Sequence, residues 1–442
     1  MRRTTQTTKV GIALLALGTL AGCSDELPTA THPSTPVEPV TFEVRLPWSQ
    51  FATNLRVLSG FGGPVDAPVG IIAHQYQGEL EARTIVRYPN LPRSWSVLDS
   101  LGTTRTDTLL SFIGSNIIIQ FDSTAHTNTG PVFLNVDRVD APWDEATATW
   151  ELAVDSGAVE IPWAQPGGGP LVRFAEGGWD PSTGNQTILP LDSAETAFLG
   201  DTTKANRGIM VSLTSAGQRL DVQRVVLQLQ VIPSVNQDSV FFIDVDPMEF
   251  TYLFTPEADP PPANELRAGG TPAWRSVLTL ALPSTVQGTP AACALTTCPV
   301  VLTADRINHA SLLLTTKPTD PVFAPLDTME FEIRGVLAPE YGPKSPLAPA
   351  LYLDSIGESV GTLIQPGAFG SGGPRVVELA ITPLLRNLVA GSTGVFRPTP
   401  TITLMETEEP FSFSFGSFVG PGQPGEPILR LLLTISDPVG LP

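Results

Sequence analysis

Hydrophobic and polar positions alternate in short runs along this chain, and turn residues close each run. Phe42–Leu46, Leu55–Phe61, Ala82–Tyr88, Asn116–Phe121, Val132–Val139, Ala146–Ala153, Gly208–Leu213 and Asp221–Ile232 are bounded by clusters of Gly, Pro, Asn or Asp. Runs of this length, rich in β-branched and aromatic residues, predict strands, and their spacing predicts an all-β sandwich. Pro131–Ala153 is the most informative stretch. Val132, Leu134, Val136 and Val139 nearly alternate, Trp143-Asp144-Glu145 marks a turn, and Thr147, Thr149 and Trp150 open a second β-rich run. The chain holds 39 Gly and 44 Pro, which leaves few uninterrupted windows for long helices.

The second half repeats the first faintly. Ala82–Pro92 resembles Ala273–Pro283, each a strand ending in Leu-Pro. SNIIIQFD from Ser115 resembles HASLLLTT from His309, and LPLDSAETAFLG from Leu189 resembles ELAITPLLRNLVAG from Glu378. In that last pair Asp192 and Thr382 are N-cap residues, and Pro383 suits the first helical position. Gly200 and Gly391 stand where a helix must stop. Each half then closes with an apolar strand, Val225–Val231 and Ile428–Ile435. The expectation is two tandem antiparallel β-sandwich domains, jelly-roll-like, each with one short helix. They should cover residues 41–233 and 234–442, meeting near Pro233–Asp238. In the second, Phe411–Phe418 alternates and is expected to be a half-buried strand.

The chain start adds a location. Arg2, Arg3 and Lys9 flank an apolar run, Val10–Leu17, too short to span a bilayer. Leu20-Ala21-Gly22-Cys23 follows and resembles the bacterial lipoprotein lipobox. The resemblance implies that residues 1–22 are a signal peptide and that Cys23 is acylated. The protein would then be lipid-anchored in the bacterial cell envelope, with the periplasmic or surface face of the outer membrane as the expected place. Residues 23–40 read as a Pro/Thr-rich tether. Loss of the signal removes three positive charges and no negative one, which takes the formal charge from −19 to −22. That weighs against nucleic acid, or membrane contact beyond the anchor, as a partner. Cys293 and Cys298 remain as an even pair in an exported, oxidising setting, where a disulfide is expected.

Four features occur in order along the first half: the strand Ala82–Pro92, the segment Trp143–Trp150, Asp192 with its helix, and Asn206-Arg207-Gly208-Ile209. Together they resemble the DNRLRE domain, a β-sandwich family related in fold to the propeptide of transforming growth factor β, over residues 55–232. Tyr88 stands where the family has Phe, and Asp192-Ser193-Ala194 lacks its Thr. The second half has VLAPEYG at Val336–Gly342 in place of the Trp segment. Such domains are often attached to polysaccharide-degrading and surface proteins. The resemblance therefore implies a non-catalytic protein that binds polysaccharide through loops of the first sandwich. The rival expectation is a structural or protein-interaction role toward an envelope protein, with no glycan ligand.

Trp143, Glu145, Thr149 and Trp150 read as a structural corner, the indoles burying area and the carboxylate accepting from turn N–H groups. Trp163 and Trp179 lie in IPWAQPGGGP and EGGWDPSTGN, both Gly-rich and loop-like. Indoles on loops grip sugar rings by stacking, so these two, with Gln165, Asp180 and Asn185, are the ligand-binding candidates. The alternative is that each Trp covers a core edge. Asp244 with Asp246, and Asp137 with Asp140 and Asp144, invite a comparison with calcium loops. Without a defined loop they read as solvated edges, and no cofactor or metal is assigned. The chain has four histidines and no HExxH, GxSxG or phosphate-loop pattern, so no catalysis is expected.

Overall fold

A computed structural model describes residues 39–436 apart from 202–207, 272, 371, 392–398, 408, 410 and 411. The signal segment, Cys23 and the tether up to residue 38 lie outside the described residues, as does Asn206. No helix among the described residues is long and apolar enough to cross a membrane.

The fold is all-β and antiparallel. Strands β1 (Val40–Pro47) and β2 (Ala52–Leu58) are joined by one helical turn, α1 (Trp48–Phe51). Next come β3 (Gly70–Tyr76), β4 (Leu80–Arg87), a projecting hairpin β5 (Trp95–Leu98) and β6 (Thr104–Asp107), β7 (Ser111–His126) and β8 (Val132–Val139). The Trp segment follows with a small ribbon, β9 (Leu152–Asp155) and β10 (Glu160–Pro162). The half closes with β11 (Leu171–Trp179), β12 (Gln186–Leu191), α2 (Ser193–Gly200), β13 (Gly208–Leu213) and β14 (Gln218–Ile232). α2 starts as expected: Asp192 accepts from Ala194 N and Glu195 N, and Glu195 reaches back to Asp192 N at 2.7 Å, a capping box.

One sheet, ordered β11–β8–β13–β4–β3–β14–β7–β12, folds over where β13 and β3 both pair with β4. Inward residues of one layer, such as Val86, Leu134 and Val211, meet Ile119, Val225 and Leu227 of the other in a single core. Phe121 of β7 and Trp179 of β11 bring their ring centroids to 4.2 Å across it. Burying such side chains stabilises by about 1.5–3 kcal/mol each.

The second half runs β15 (Phe241–Val245), β16 (Glu249–Thr255), β17 (Glu265–Gly269) and β18 (Arg275–Leu280). A ribbon of β19 (Thr285–Val286) and β20 (Val300–Val301) flanks α3 (Pro290–Leu295), where Cys293 and Cys298 are disulfide-bonded. Then come β21 (Ile307–Lys317), β22 (Met329–Gly335), β23 (Thr362–Ile364), β24 (Val376–Ala380), α4 (Thr382–Ala390), β25 (Thr401–Glu406), β26 (Phe415–Val419) and β27 (Ile428–Ile435). Thr382 is the first residue of α4 and not its cap, because its hydroxyl is taken by the backbone N–H of Ala310 at 2.9 Å. Gly391, at φ +63°, ends the helix.

The repeat in the sequence is a repeat of pairings. β7 pairs with β12 and β14, and β21 with β24 and β27. β13 lies between β4 and β8 as β25 lies between β18 and β22. The strand pair that opens each half, however, is exchanged. β1 lies along β27, from Val40 opposite Ile435 to Pro47 opposite Ile428, and β2 lies along β18. Reciprocally, β15 lies along β14 and β16 along β4. The first folded unit is thus β3–β16, and the second is β1–β2 with β17–β27. Boundaries at 41–233 and 234–442 mark the repeats in sequence, but the folded units do not follow them. β27 along its length, and β14 beyond the part that β3 covers, leave an edge of backbone donors and acceptors to be paired, and the other half supplies the partner.

The chain crosses between units twice, at residues 59–69 and 256–264, and the units share an apolar joint. Ile71, Leu80, Ala82 and Tyr252 pack there against Trp274, Phe323, Phe413 and Phe415. Phe411 lies outside the described residues, and from Phe413 to Phe418 both faces are buried rather than one, since the first unit covers the side that an isolated sandwich would leave wet. Arg219 of β14, only 1 % exposed, crosses the joint: Nη1 donates to Ala324 O at 3.2 Å and Nη2 to Ser414 Oγ at 3.0 Å. Asp221 lies 3.4 Å from its Nε, an ion contact without a hydrogen bond. Desolvation therefore outweighs the attraction of Arg219 and pushes the Asp221 carboxyl up to about 6.

Two outcomes follow from this arrangement. Residues 39–233 and 234–442 produced as separate chains should each be insoluble alone and should copurify as a folded heterodimer when co-expressed; two independently soluble halves would contradict the exchange. Asp221 holds its proton more tightly in the folded state, so its contribution is full below pH 4 and fades as pH rises through about 6. Urea denaturation should show stability falling between pH 4 and 7.5, with Glu409, pushed up to about 7 by burial, contributing beside Asp221, and Asp221→Asn should remove about 2–3 kcal/mol of that fall.

Candidate functional site

The register defines the outer face of the layer β16–β4–β13–β8–β11. One rung holds Glu249, Arg87, Gly208, Val139 and Leu171; the next holds Thr251, Ile85, Met210, Asp137 and Arg173. The third has Leu253 beside Arg83, then Ser212, Asn135 and Glu176.

The Trp segment folds as a lobe, residues 141–170, over the first two rungs. Trp143 is buried beside Arg87, whose guanidinium lies 4.5 Å from the ring, donates to Trp143 O at 3.1 Å and pairs with Glu249 at 2.7 Å. Glu145 Oε1 accepts from Phe250 N at 2.6 Å and so fixes the lobe to β16. Thr149 Oγ1 accepts from Leu152 N, and Thr149 O from Trp163 Nε1 at 2.9 Å. The lobe thereby ties Trp143, Glu145, Thr149, Trp150 and Trp163 together over Ile85, Val139, Met210 and Leu253.

Trp163 and Trp179 are not a sugar platform. Trp163 is 5 % exposed and sits under the lobe; Trp179 is 3 % exposed and sits in the inner core, with Nε1 donating to Gly184 O at 2.9 Å. The two rings thus occupy opposite faces of the sheet. Asp180 accepts from Ser182 N and caps a 3-10 turn, Pro181–Thr183. Asn185 uses its carbonyl to receive Phe121 N, and Gln165 is exposed on the loop 164–169. Glycine in that loop marks close approach and not mobility or exposure. A Cβ on Gly167 would lie 2.7 Å from the Trp150 ring, and one on Gly168 2.2 Å from Met210 Cε. The acidic residues compared with calcium loops are engaged elsewhere: Asp137 by Arg173, Asp140 by Arg138, Asp144 by Ala146 N, Asp244 by Gln228 and Asp246 by Arg224. Among the described residues no three His, Cys, Asp or Glu side chains converge as a metal requires.

Where the lobe ends, the third rung is open. An outward groove of about 610 Å³ lies there, floored by Arg83, Ser212, Asn135 and Asp137 and closed at the lobe end by Trp150. Arg83 is held in place, donating to Gly167 O at 2.6 Å with its guanidinium 5.0 Å from the Trp150 ring. His74 Nδ1 lies 3.0 Å from Glu81, and Arg173 Nε donates to Asp137 at 2.6 Å. Asn135 and Ser212, opposite each other in register, make no side-chain hydrogen bond among the described residues. Phe133, on the same face two residues before Asn135, is 62 % exposed. Of these groove residues the sequence singles out only Asp137 and Trp150, and for other roles. Their signal is weak but present: Asn135 and Asp137 are the polar members of the alternation in VFLNVDRV.

No family profile matches the chain, and no curated protein matches it. Among solved structures, the C-terminal domain of the antigen I/II polypeptide BspA from Streptococcus agalactiae is similar at 9 % identity, covering 72 % of this chain and 75 % of that one, with a TM-score of 0.12. The C-terminal domain of the antigen I/II-family protein AspA from Streptococcus pyogenes is similar at 8 % identity over 83 % and 90 %, with a TM-score of 0.11. Likeness at these scores supports no inference about function.

Because both indoles are core, Trp163→Ala and Trp179→Ala should each cost about 3–5 kcal/mol in chemical denaturation. A loss under about 1 kcal/mol for either would show that its ring is not packed as described.

Proposed function

We propose that this protein is a non-catalytic module of the bacterial cell envelope, anchored through acylated Cys23, that binds a polysaccharide along the groove of its first unit. The observation that carries the reading is the pair Asn135 and Ser212, two outward polar side chains unengaged by the described protein on a floor closed at one end by Trp150, with Phe133 exposed two residues before Asn135 on the same face. An amide and a hydroxyl match sugar hydroxyls as donor and acceptor, and flanking rings offer apolar faces to the sugar. Glu81, hydrogen-bonded to His74 and Gln75 N, and Asp137, paired with Arg173, are both engaged by neighbours, which supports binding over hydrolysis. The formal charge of −22 after loss of the signal favours a neutral or basic polymer over an acidic one.

A protein partner is the second reading. It is favoured by the β5–β6 hairpin and the residues after it, where Leu98, Leu101 and Leu109 are 59 %, 85 % and 72 % exposed. The mature chain carrying Cys23→Ser, which leaves out the lipid, separates the two in pull-downs on insoluble polysaccharides and on a glycan array. Retention that falls about tenfold or more in Asn135→Ala/Ser212→Ala, with the fold intact by circular dichroism, supports the groove. If the parent chain holds no polysaccharide, the glycan reading fails. Envelope cross-linking that Leu98→Ser/Leu101→Ser abolishes would then support the second.

A further inference from the structure

We infer that the groove of the first unit selects a polysaccharide whose sugars carry an acetamido group, and that Arg83 reads that group. The inference rests on the glycan reading above and narrows it to a substrate class. Arg83 is half-buried on β4, in the same rung as Ser212 and Asn135, so the three follow one another across strands about 4.8 Å apart. Of its donors, Nη1 is taken by Gly167 O at 2.6 Å. Nε and Nη2 make no hydrogen bond among the described residues, and neither is shut off from water. The lobe holds the guanidinium from one side, through Gly167 O and the Trp150 ring 5.0 Å away, and the same side chain floors the open groove.

The chemistry of that group selects the ligand. A guanidinium only donates, so it calls for an acceptor. Among the described residues no carboxylate pairs with it; burial lowers its pKa, and the charges of Glu81 and Asp137 act against that fall from a distance. Both carboxylates line the groove and would face an incoming anion, so the acceptor that fits is uncharged. Sugar hydroxyls suit Ser212 and Asn135, whose side chains both donate and accept. A hydroxyl set against Arg83 would have to turn its own hydrogen away. An amide carbonyl accepts only, and its oxygen is a stronger acceptor than an ester's. A methyl group beside that carbonyl would meet the Trp150 ring, which closes this end of the groove. Carbonyl and methyl side by side are what an acetamido group presents.

The test passes the mature Cys23→Ser chain over chitin and cellulose, two β-1,4-linked polymers that differ only in carrying an acetamido or a hydroxyl group at C2. A glycan array adds other matched pairs with and without N-acetylation. The acetylated member should be retained about tenfold or more over its counterpart. Arg83→Met, with the fold intact by circular dichroism, should bring that ratio to about one, whereas Asn135→Ala/Ser212→Ala should weaken both members and leave the ratio. If Arg83→Met does not fold, Arg83→Lys, which keeps the charge but not the forked donors, should cut the ratio by about threefold or more. Both members held alike by the parent chain, or a preference for the unacetylated one, would overturn the acetamido inference and leave the groove reading standing. Retention of neither member of any pair would overturn both. A ratio that a folded Arg83 variant leaves unchanged would overturn the role of Arg83.

Discussion

The open edge of the closing strand is the constraint on which the rest of the molecule depends. β14 and β27 each send a row of apolar side chains into the core of one sandwich. Each is paired along one side within its own half, with β7 or β21, and on the other side of β14 the same half supplies β3 for Gln218–Val222 only. The other side must be covered, because a row of unpaired N–H and C=O groups costs stability and invites association with other chains. Each half carries a pair of strands able to cover such an edge, and each gives it to its neighbour. Neither sandwich is complete without the other half, although each has its own core.

That exchange explains the joint. Two crossings pin the units together, so contacts between them form at high effective concentration and need little intrinsic affinity. The aromatic rings of Phe254, Phe413 and Phe323 pack there at centroid distances of 5.1 Å, each pair adding about 0.5–1.5 kcal/mol beyond its buried area. Arg219 carries a charge through this layer. Its guanidinium is hydrogen-bonded to the second unit, yet its ion contact with Asp221 is poorly aligned, and the carboxylate bears the cost of burial. The pair fixes where the units meet more than it strengthens their meeting.

Local signals in the sequence were legible wherever the physics was local. Asp192 and Glu195 announce α2, and the alternation of β8 separates core from surface from Val132 to Val136, whereas the Leu-Pro pairs lie beyond the ends of β4 and β18, at Arg87 and Leu280, and not within them. The exchange was illegible because nothing in Val40–Pro47 distinguishes β27 from β14 as its partner; both offer an apolar edge. Trp163 misled for a related reason. Its PGGGP neighbour has the composition of an exposed loop, but Gly167 and Gly168 are glycine because the loop lies flat on Trp150 and Met210. Trp143 and Glu145 were easier, since a tryptophan and a carboxylate at a strand turn have few ways to be satisfied other than a corner.

Trp150 shows why the lobe matters to more than packing. It is the one lobe residue that lines both the polar groove on the outer face and an aromatic cleft at the joint. Its carbonyl receives Gly167 N at 2.6 Å and its ring stacks with Arg83, which in turn donates to Gly167 O. Backbone and side chain are thus locked to the same glycine loop, and Glu145 ties that lobe to β16, the exchanged strand. A wall held this way loses little conformational entropy when a ligand meets it, so modest polar contacts can suffice for binding. The same lock runs from Trp150 through the lobe to β16. A strand from the second half of the chain thus helps to hold the Trp150 wall of a groove whose lining comes from the first.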